Sequence, residues 1–328
     1  MTHYCGHRPR IVEKTKTPTP FPEVFTVPRV CITIVYFGHW PVWFSAWLRT
    51  CRENRGFQWL IFTDNVPPAN APENVRILHL SQQQLESRVS SMLQVPFVLS
   101  RGYKLVDLKP AYGELFAPEL RDYDFWGYTD LDVVYGDLAR FFTAEILNSH
   151  DVLSPSDRLL VGHLTLIRNT PRLCRLYRDC PDFQQILLKD SHEGFDEKGF
   201  HRHVIQLAQQ QQLRLFLKDM KQEDILLRLN GRGRFLIVWH RGHLYDVAVF
   251  RQICHFHFME SKWKQSFDVS EILPAISTFC LTPEAIRPVR STREYFELLL
   301  SAAICCVAAL PWQLTRAVRN FRNLIRSK

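Results

Sequence analysis

The sequence predicts an α/β fold, a mixed and mostly parallel sheet flanked by helices. Three observations predict it. Two continuous apolar, β-branched runs, Val30 to Phe37 and Phe57 to Asp64, are separated by a stretch with helical spacing. Each ends in a short polar or glycine-containing break, at Gly38-His39-Trp40-Pro41 and at Asp64-Asn65. A third, aromatic run, Tyr123 to Thr129, leads into the acidic pair of Asp130-Leu131-Asp132. Apolar runs that do not alternate mark strands covered on both faces, as strands of parallel sheets are.

The elements follow in order. Residues 1–28 are basic and rich in Pro and Thr, cannot bury a core, and are expected to form a disordered arm. Val30 to Phe37 is the first strand, and Val42 to Asn54 a helix stopped by Gly56. Phe57 to Asp64 is the second strand, and Val75 to Leu80 the third after a Pro/Asn loop. Ser81 is the expected N-cap of a helix from Gln82. Ligands of such sheets bind beyond the carboxyl ends of the strands. Tyr36-Phe37-Gly38, Asp64 and the acidic pair all lie at such ends, so they are expected to open on one crevice. Further on, the spacing predicts a helix over Leu138–Asn148, short strands at Asp151–Ser154 and Leu164–Asn169, and a helix over Pro171–Cys180 with Pro in its first turn. A largely helical or mixed stretch over 197–229 and late strands at Phe235–His240 and Ala248–Phe258 complete the pattern.

Composition sets bounds. With 328 residues, 46% of them hydrophobic, the chain can bury a large core, assigned to residues 29–290. A net charge of +8 favours anionic partners: nucleotide phosphates, acidic glycans or anionic lipid. Nucleic acid is not expected, because the basic residues form no recognised binding motif. The nine cysteines are odd in number and show no Cys-x-x-Cys spacing, which fits free thiols in a reducing compartment. Residues 1–28 contain no apolar leader segment, so a cytoplasmic location is expected. Neither a Gly-x-Gly-x-x-Gly nor a Walker loop is present, which leaves dinucleotide-binding and P-loop classes without support.

Asp130 and Asp132 carry the chemistry. On a strand, side chains two apart share a face, so both carboxylates would converge while Leu131 points into the protein. Such a pair suits a hard divalent cation, Mn²⁺ or Mg²⁺, that also takes a diphosphate. In Cys254-His255-Phe256-His257-Phe258, the two imidazoles would share a face, and either one completes a metal shell or both are satisfied histidines on a half-buried strand. Lys262, just beyond, is placed to meet a diphosphate as a point charge or to be solvated. Asp107 and Lys109 are candidates for holding the donor, or form a charge pair at a helix start. Gly162-His163 either lets a ligand approach the backbone or makes a turn. Asp196 and Glu197 are candidates for a general base toward an acceptor hydroxyl, or belong to a solvated loop.

Taken in order, Tyr36-Phe37-Gly38, Phe62-Thr63-Asp64, Tyr103 to Gly113, Asp124-Phe125-Trp126-Gly127-Tyr128-Thr129-Asp130-Leu131-Asp132, Gly162-His163 and His255 to Phe258 resemble a bacterial family of glycosyltransferase-like proteins associated with surface polysaccharide or lipopolysaccharide assembly. The resemblance covers about residues 29–265. More distantly the layout is similar to metal-dependent GT-A glycosyltransferases of the glycogenin-like and Och1-like groups. It implies that Asp130 and Asp132 bind the metal and the donor, with His257 the third ligand and His255 the competing choice. It implies that Asp107 and Lys109 contact the donor sugar and diphosphate, and that Tyr36 and Asp64 frame the nucleotide. Glycogenin-like enzymes carry His-x-x-Gly-x-x-Lys-Pro-Trp, whereas His257 to Trp263 here lacks the Gly and the Pro.

The tail, residues 291–328, changes character. Leu298 to Leu310 is apolar but shorter than the roughly 20 residues needed to span a bilayer. Arg316, Arg319, Arg322 and Arg326 then repeat at helical spacing with no acid among them. That pattern predicts either an interfacial helix on anionic lipid at the inner face of the plasma membrane, or a docked helix with a basic face. The sequence therefore predicts a metal-dependent glycosyltransferase acting from a nucleotide diphosphate sugar onto a glycan or lipid-linked acceptor. The rival is a non-catalytic nucleotide- or glycan-binding assembly factor on the same fold.

Overall fold

The structure is a computed structural model that describes residues 26–229 and 234–291, and, beyond them, residues 293, 294, 296–298, 300, 301, 303, 304 and 307. Its first strands are β1 (Val30–Val35), β2 (Phe57–Thr63), β3 (Val75–His79), β4 (Phe125–Thr129) and β5 (Val133–Tyr135). Then come β6 (Val152–Ser154), β7 (Leu164–Arg168) and β8 (Leu215–Leu217). All but β5 build a seven-stranded sheet ordered β3-β2-β1-β4-β7-β6-β8. Only β7 runs against its neighbours. The sheet is thus mixed and mostly parallel, as the continuous apolar runs predict.

The alternation along β1 divides the core. Val30, Ile32 and Ile34 join Trp47, Trp59 and Phe125 beneath helix α1 (Phe44–Glu53). Cys31 and Val35 face the other way, with Phe62, Trp126, Tyr128 and helix α2 (Gln82–Leu93). α2 opens as expected: the Ser81 hydroxyl accepts from Gln84 N–H, and the Gln84 side chain accepts from Ser81 N–H.

The chain continues with β9 (Gln222–Glu223), β10 (Ile237–His240), β11 (His243–Asp246), β12 (Arg251–Ile253) and β13 (His255–His257), followed by β14 (Asp268–Val269), β15 (Thr278–Leu281) and β16 (Ala285–Pro288). A second, largely antiparallel sheet of six strands runs β12-β11-β10-β15-β16-β14. β10 and β11 are joined by Arg241-Gly242, both at positive φ (46° and 87°), the backbone that a two-residue hairpin turn requires. β5, β13 and β9 form a third, three-stranded sheet, with His257 opposite Val133 and His255 opposite Tyr135.

Several expectations are corrected. The helix expected over Leu138–Asn148 is two, Leu138–Phe141 and Ala144–Ser149, because the Thr143 hydroxyl caps the second by accepting from Ile146 N–H. The helix expected over Pro171–Cys180 is an α turn, Pro171–Cys174, followed by a 3₁₀ turn, Leu176–Asp179. The strand expected over Ala248–Phe258 begins as a 3₁₀ turn and is broken at Phe250, whose φ is 50°. Residues 1–25 of the expected arm, and the basic repeat of the tail, lie outside the described residues. Leu298 packs against Leu236 and Ala248, while Phe296, Leu300, Ile304 and Val307 are exposed. Among the described residues no helix is long and apolar enough to cross a membrane.

Candidate active site

The acidic pair stands just past β4. Thr129 is its last residue, and Asp130 to Asp132 form a bend, not the strand expected from the sequence. The bend is pinned on both sides. Trp43 Nε1–H donates to Leu131 O at 2.9 Å, and the Thr129 hydroxyl donates to His163 O at 2.7 Å. Leu131 turns into the α1 core, and both carboxylates line a cleft of about 570 Å³.

Pairing of β13 with β5 carries the late histidines to this bend. His257 Nε2 lies 3.2 Å from Asp132 Oδ2, and Lys262 Nζ donates to the same oxygen at 2.5 Å. Burial pushes the Asp132 carboxyl up, but the charges of His257 and Lys262 outweigh it and hold the group well below the usual carboxylate range. Burial pulls the His257 imidazole down, and the Asp132 carboxylate more than reverses this, so His257 is raised above its ordinary value. Lys109 Nζ donates to Asp130 Oδ1 at 2.6 Å and to Gly162 O at 2.9 Å. Burial lowers the affinity of Lys109 for its proton, and Asp130 and Asp196 raise it further than burial lowers it.

Asp130, Asp132 and His257 offer ligand atoms that all lie within 4.8 Å of one another. His257 Nδ1 is buried with no hydrogen-bond partner among the described residues. Two carboxylates and an imidazole are a donor set for Mn²⁺, and the oxygens suit Mg²⁺ as well, so the residues present fit a divalent cation.

His255 is placed differently. Its Nε2 lies 2.7 Å from His163 Nδ1, and His163 Nε2 lies 2.8 Å from Glu223 Oε1, which is also ion-paired with Lys221. Burial, then the charge of His257, depresses His163 to about 4, so it is neutral. Of the two candidate imidazoles, His257 thus joins the acids. His255 sits behind in a buried network and belongs to no metal-holding group among the described residues. A second such group, His163, Glu223 and His257, shares the His257 imidazole.

The remaining expected residues divide. Tyr36, Phe37, Lys109, Gly162, His163, Asp196, Glu197 and Lys262 line the cleft with the acidic pair. Gly38 and Asp64 are exposed and do not line it. Asp107 is fully buried and faces away from it, so its contact is with protein, not donor: it pairs with Lys104 at 3.0 Å and accepts the N–H groups of Glu193 (2.9 Å) and Phe195 (2.8 Å). This fixes the loop that leads to Asp196. Glu197 Oε1 is committed to the Gly162 N–H at 2.7 Å.

Other contributors escaped the sequence reading. The buried carboxylate of Asp224 accepts the N–H groups of Glu260 (3.0 Å) and Ser261 (2.6 Å), which sets the turn bearing Lys262. No local pattern distinguishes that acid from a solvated one. Tyr103, packed edge-on against His192 with ring centroids 4.5 Å apart, and Trp263 stand exposed at the cleft mouth. An exposed aromatic next to Lys262 was the available signal for Trp263.

Fold and site together define a mixed α/β protein with an acidic–imidazole cluster at the carboxyl ends of its sheet. The chain belongs to a family of unknown function (DUF6625), whose model matches residues 32–289. No curated protein matches it. Among solved structures it is similar to mouse xyloside xylosyltransferase 1 in its apo form, at 11% identity and a TM-score of 0.39, over 71% of this chain and 98% of that one. It is similar to the galactosyltransferase LgtC in complex with donor and acceptor sugar analogues, at 11% identity and a TM-score of 0.36, over 72% of this chain and 90% of that one. A glycosyltransferase involved in glycosylation of the major capsid of PBCV-1 matches at 8% identity and a TM-score of 0.35, over 70% of this chain and 93% of that one. Likenesses this distant say nothing of activity, and the case for a function rests on the site.

Proposed function

We propose that this chain is a metal-dependent, GT-A-like glycosyltransferase that moves a sugar from a nucleotide diphosphate sugar to a hydroxyl of a surface glycan or lipid-linked acceptor. One observation carries the reading: Asp130, Asp132 and His257 converge beside Lys109 and Lys262 in one cleft. The resemblance of the sequence motifs supports the same class and suggests surface polysaccharide or lipopolysaccharide assembly as the setting.

In this reading Asp130, Asp132 and His257 hold Mn²⁺ or Mg²⁺. The ion, when bound, supplies Lewis-acid stabilisation of the departing diphosphate. The chain's own groups do the rest. Tyr36 and Phe37 flank the nucleotide at the end of β1. Lys262, on the turn set by Asp224, brings an ammonium to the charge that grows on the leaving oxygen. The bond from the anomeric carbon to the diphosphate breaks with its electron pair going to oxygen. The acceptor oxygen forms the new bond as its proton passes to the departing diphosphate or to solvent. Contact with anionic lipid through the tail belongs to the same proposal, supported by the exposed Phe296, Leu300, Ile304 and Val307.

The alternative, a nucleotide- or glycan-binding assembly factor, has one observation in its favour: each carboxylate of the pair is already neutralised by a lysine. The two separate on turnover. Release of nucleoside diphosphate from UDP-, GDP- and dTDP-sugars, and of CMP from CMP-sugars, is followed with Mn²⁺, with EDTA, and in Asp132→Ala. Release that needs both the metal and Asp132 supports the transferase. Tight donor binding without release by any donor supports the assembly factor.

A further inference from the structure

Asp196 presents an anomaly that the transferase reading has not used. It opens the helical turn Asp196–Phe200, is 1% exposed, and lines the cleft. Neither of its carboxylate oxygens has a hydrogen-bond partner among the described residues. The N–H of Glu197 approaches it without reaching hydrogen-bond geometry. Buried polar groups in folded proteins are nearly always paired, and an unpaired carboxylate is among the costliest to bury.

The surroundings hold it there deliberately. Asp107 ties down Glu193 and Phe195 immediately before it. Glu197, immediately after it, is fastened to the Gly162 N–H. Gly162 makes the room, since a Cβ at that position would lie 2.5 Å from Asp196 Oδ2. The charges that act most strongly on Asp196 are those of Lys109, Glu197 and Asp130. The one cation of these, Lys109, is already committed to Asp130 and to Gly162 O. Asp196 thus offers two unpaired acceptor oxygens at this end of the cleft.

A ligand group that fits must donate hydrogen bonds and carry no negative charge. A sugar hydroxyl does both, and two neighbouring hydroxyls match the two bare oxygens. The carboxylate of a uronic or sialic acid would instead face Asp196 and Glu197, where Lys109 is already engaged. We propose that Asp196 reads hydroxyls of the transferred sugar and, with Glu197, excludes acidic sugars, so that the donor carries a neutral, hydroxyl-rich sugar. This rests on the transferase reading and narrows its substrate.

The test is calorimetric titration at about pH 8, where Asp196 is ionised, in Mn²⁺ with UDP, GDP, dTDP and CMP, with the matched pairs UDP-glucose and UDP-glucuronic acid, and GDP-mannose and GDP-mannuronic acid, and with dTDP-glucose and CMP-N-acetylneuraminic acid. The neutral sugar of the accepted base is expected to bind at least tenfold tighter than its acidic counterpart. Asp196→Asn is expected to abolish that preference while the bare nucleotide binds as before. Gly162→Ala, which keeps the carboxylate and crowds it, is expected to weaken the neutral donor likewise, and circular dichroism checks that both variants fold. An acidic donor that binds as tightly as a neutral one, or discrimination that survives Asp196→Asn, overturns the inference while leaving the transferase standing. Failure of every nucleotide to bind in the presence of metal overturns both.

Discussion

At the scale of single residues, the fold holds Asp132, His163, Asp196 and His257 away from their ordinary protonation behaviour, and the signs differ. Burial raises the Asp196 carboxyl from 3.8 to about 7, an effect that Lys109 offsets only in part. Between roughly pH 4 and 7 the folded chain keeps that proton and the unfolded chain releases it. Its contribution to stability is full below the unfolded value and falls as pH rises toward 7, by about 4 kcal/mol in all. The melting temperature of metal-free protein should therefore change with pH between 4.5 and 7.5 in a way that Asp196→Asn flattens; parallel profiles for the two proteins would contradict the assignment. Asp132 has the opposite sign. Held below its usual range by His257 and Lys262, it stabilises the fold above the ordinary carboxylate range, and that contribution is lost on acidification. Residue spacing made the pair Asp130 and Asp132 legible, whereas His257 was set apart from His255 only by the family resemblance. Asp196 was legible only as one acid among several, because sequence does not show which carboxylate is buried.

At the scale of elements, the site depends on short pieces held by backbone hydrogen bonds. The turn from Glu260 to Trp263 owes its shape to Asp224, whose carboxylate accepts two of its N–H groups and sits 3% exposed. Asp224→Ala leaves those donors buried without a partner, at about 1–3 kcal/mol each. We expect a lower urea midpoint and weaker binding of nucleoside diphosphate, with Mn²⁺ affinity little changed because the turn carries Lys262 and none of Asp130, Asp132 and His257, the proposed metal ligands. Equal losses of metal and nucleotide affinity would show that Asp224 supports the whole cluster instead. Long elements read correctly from sequence: β1, β2, α1 and the N-cap of α2 follow from apolar runs, helical spacing and Ser81. Of the second sheet, β10 and β12 fall within expected strands and the rest were not foreseen. Its strands are two to four residues long, and β11 buries Leu244 and Asp246 around a partly exposed Tyr245, an alternation too short to separate from coil. Nor could spacing reveal that β13 pairs with β5 and so brings His257 to an acid 125 residues earlier.

At the scale of the whole molecule, a chain of net charge +8 presents a cleft whose acidic pair is compensated by lysines, and exposed apolar side chains at Phe296, Leu300, Ile304 and Val307. If that end meets lipid, the full chain should co-sediment with vesicles of phosphatidylglycerol and phosphatidylcholine but not with phosphatidylcholine alone, and salt should weaken the association because exposed charges are screened over about 10 Å at 0.1 M. Equal sedimentation with both vesicle types would leave the basic tail without that role. Everything proposed for the cleft depends on a prior claim, that Asp130, Asp132 and His257 act together as a metal site that binds a nucleotide diphosphate. The most direct measurement is isothermal titration of UDP and GDP into the intact protein with Mn²⁺ and with EDTA, beside Asp132→Ala. The account predicts binding of at least one of them that requires the metal and vanishes in the variant. Binding of equal strength in EDTA, or binding that Asp132→Ala leaves intact, would contradict it.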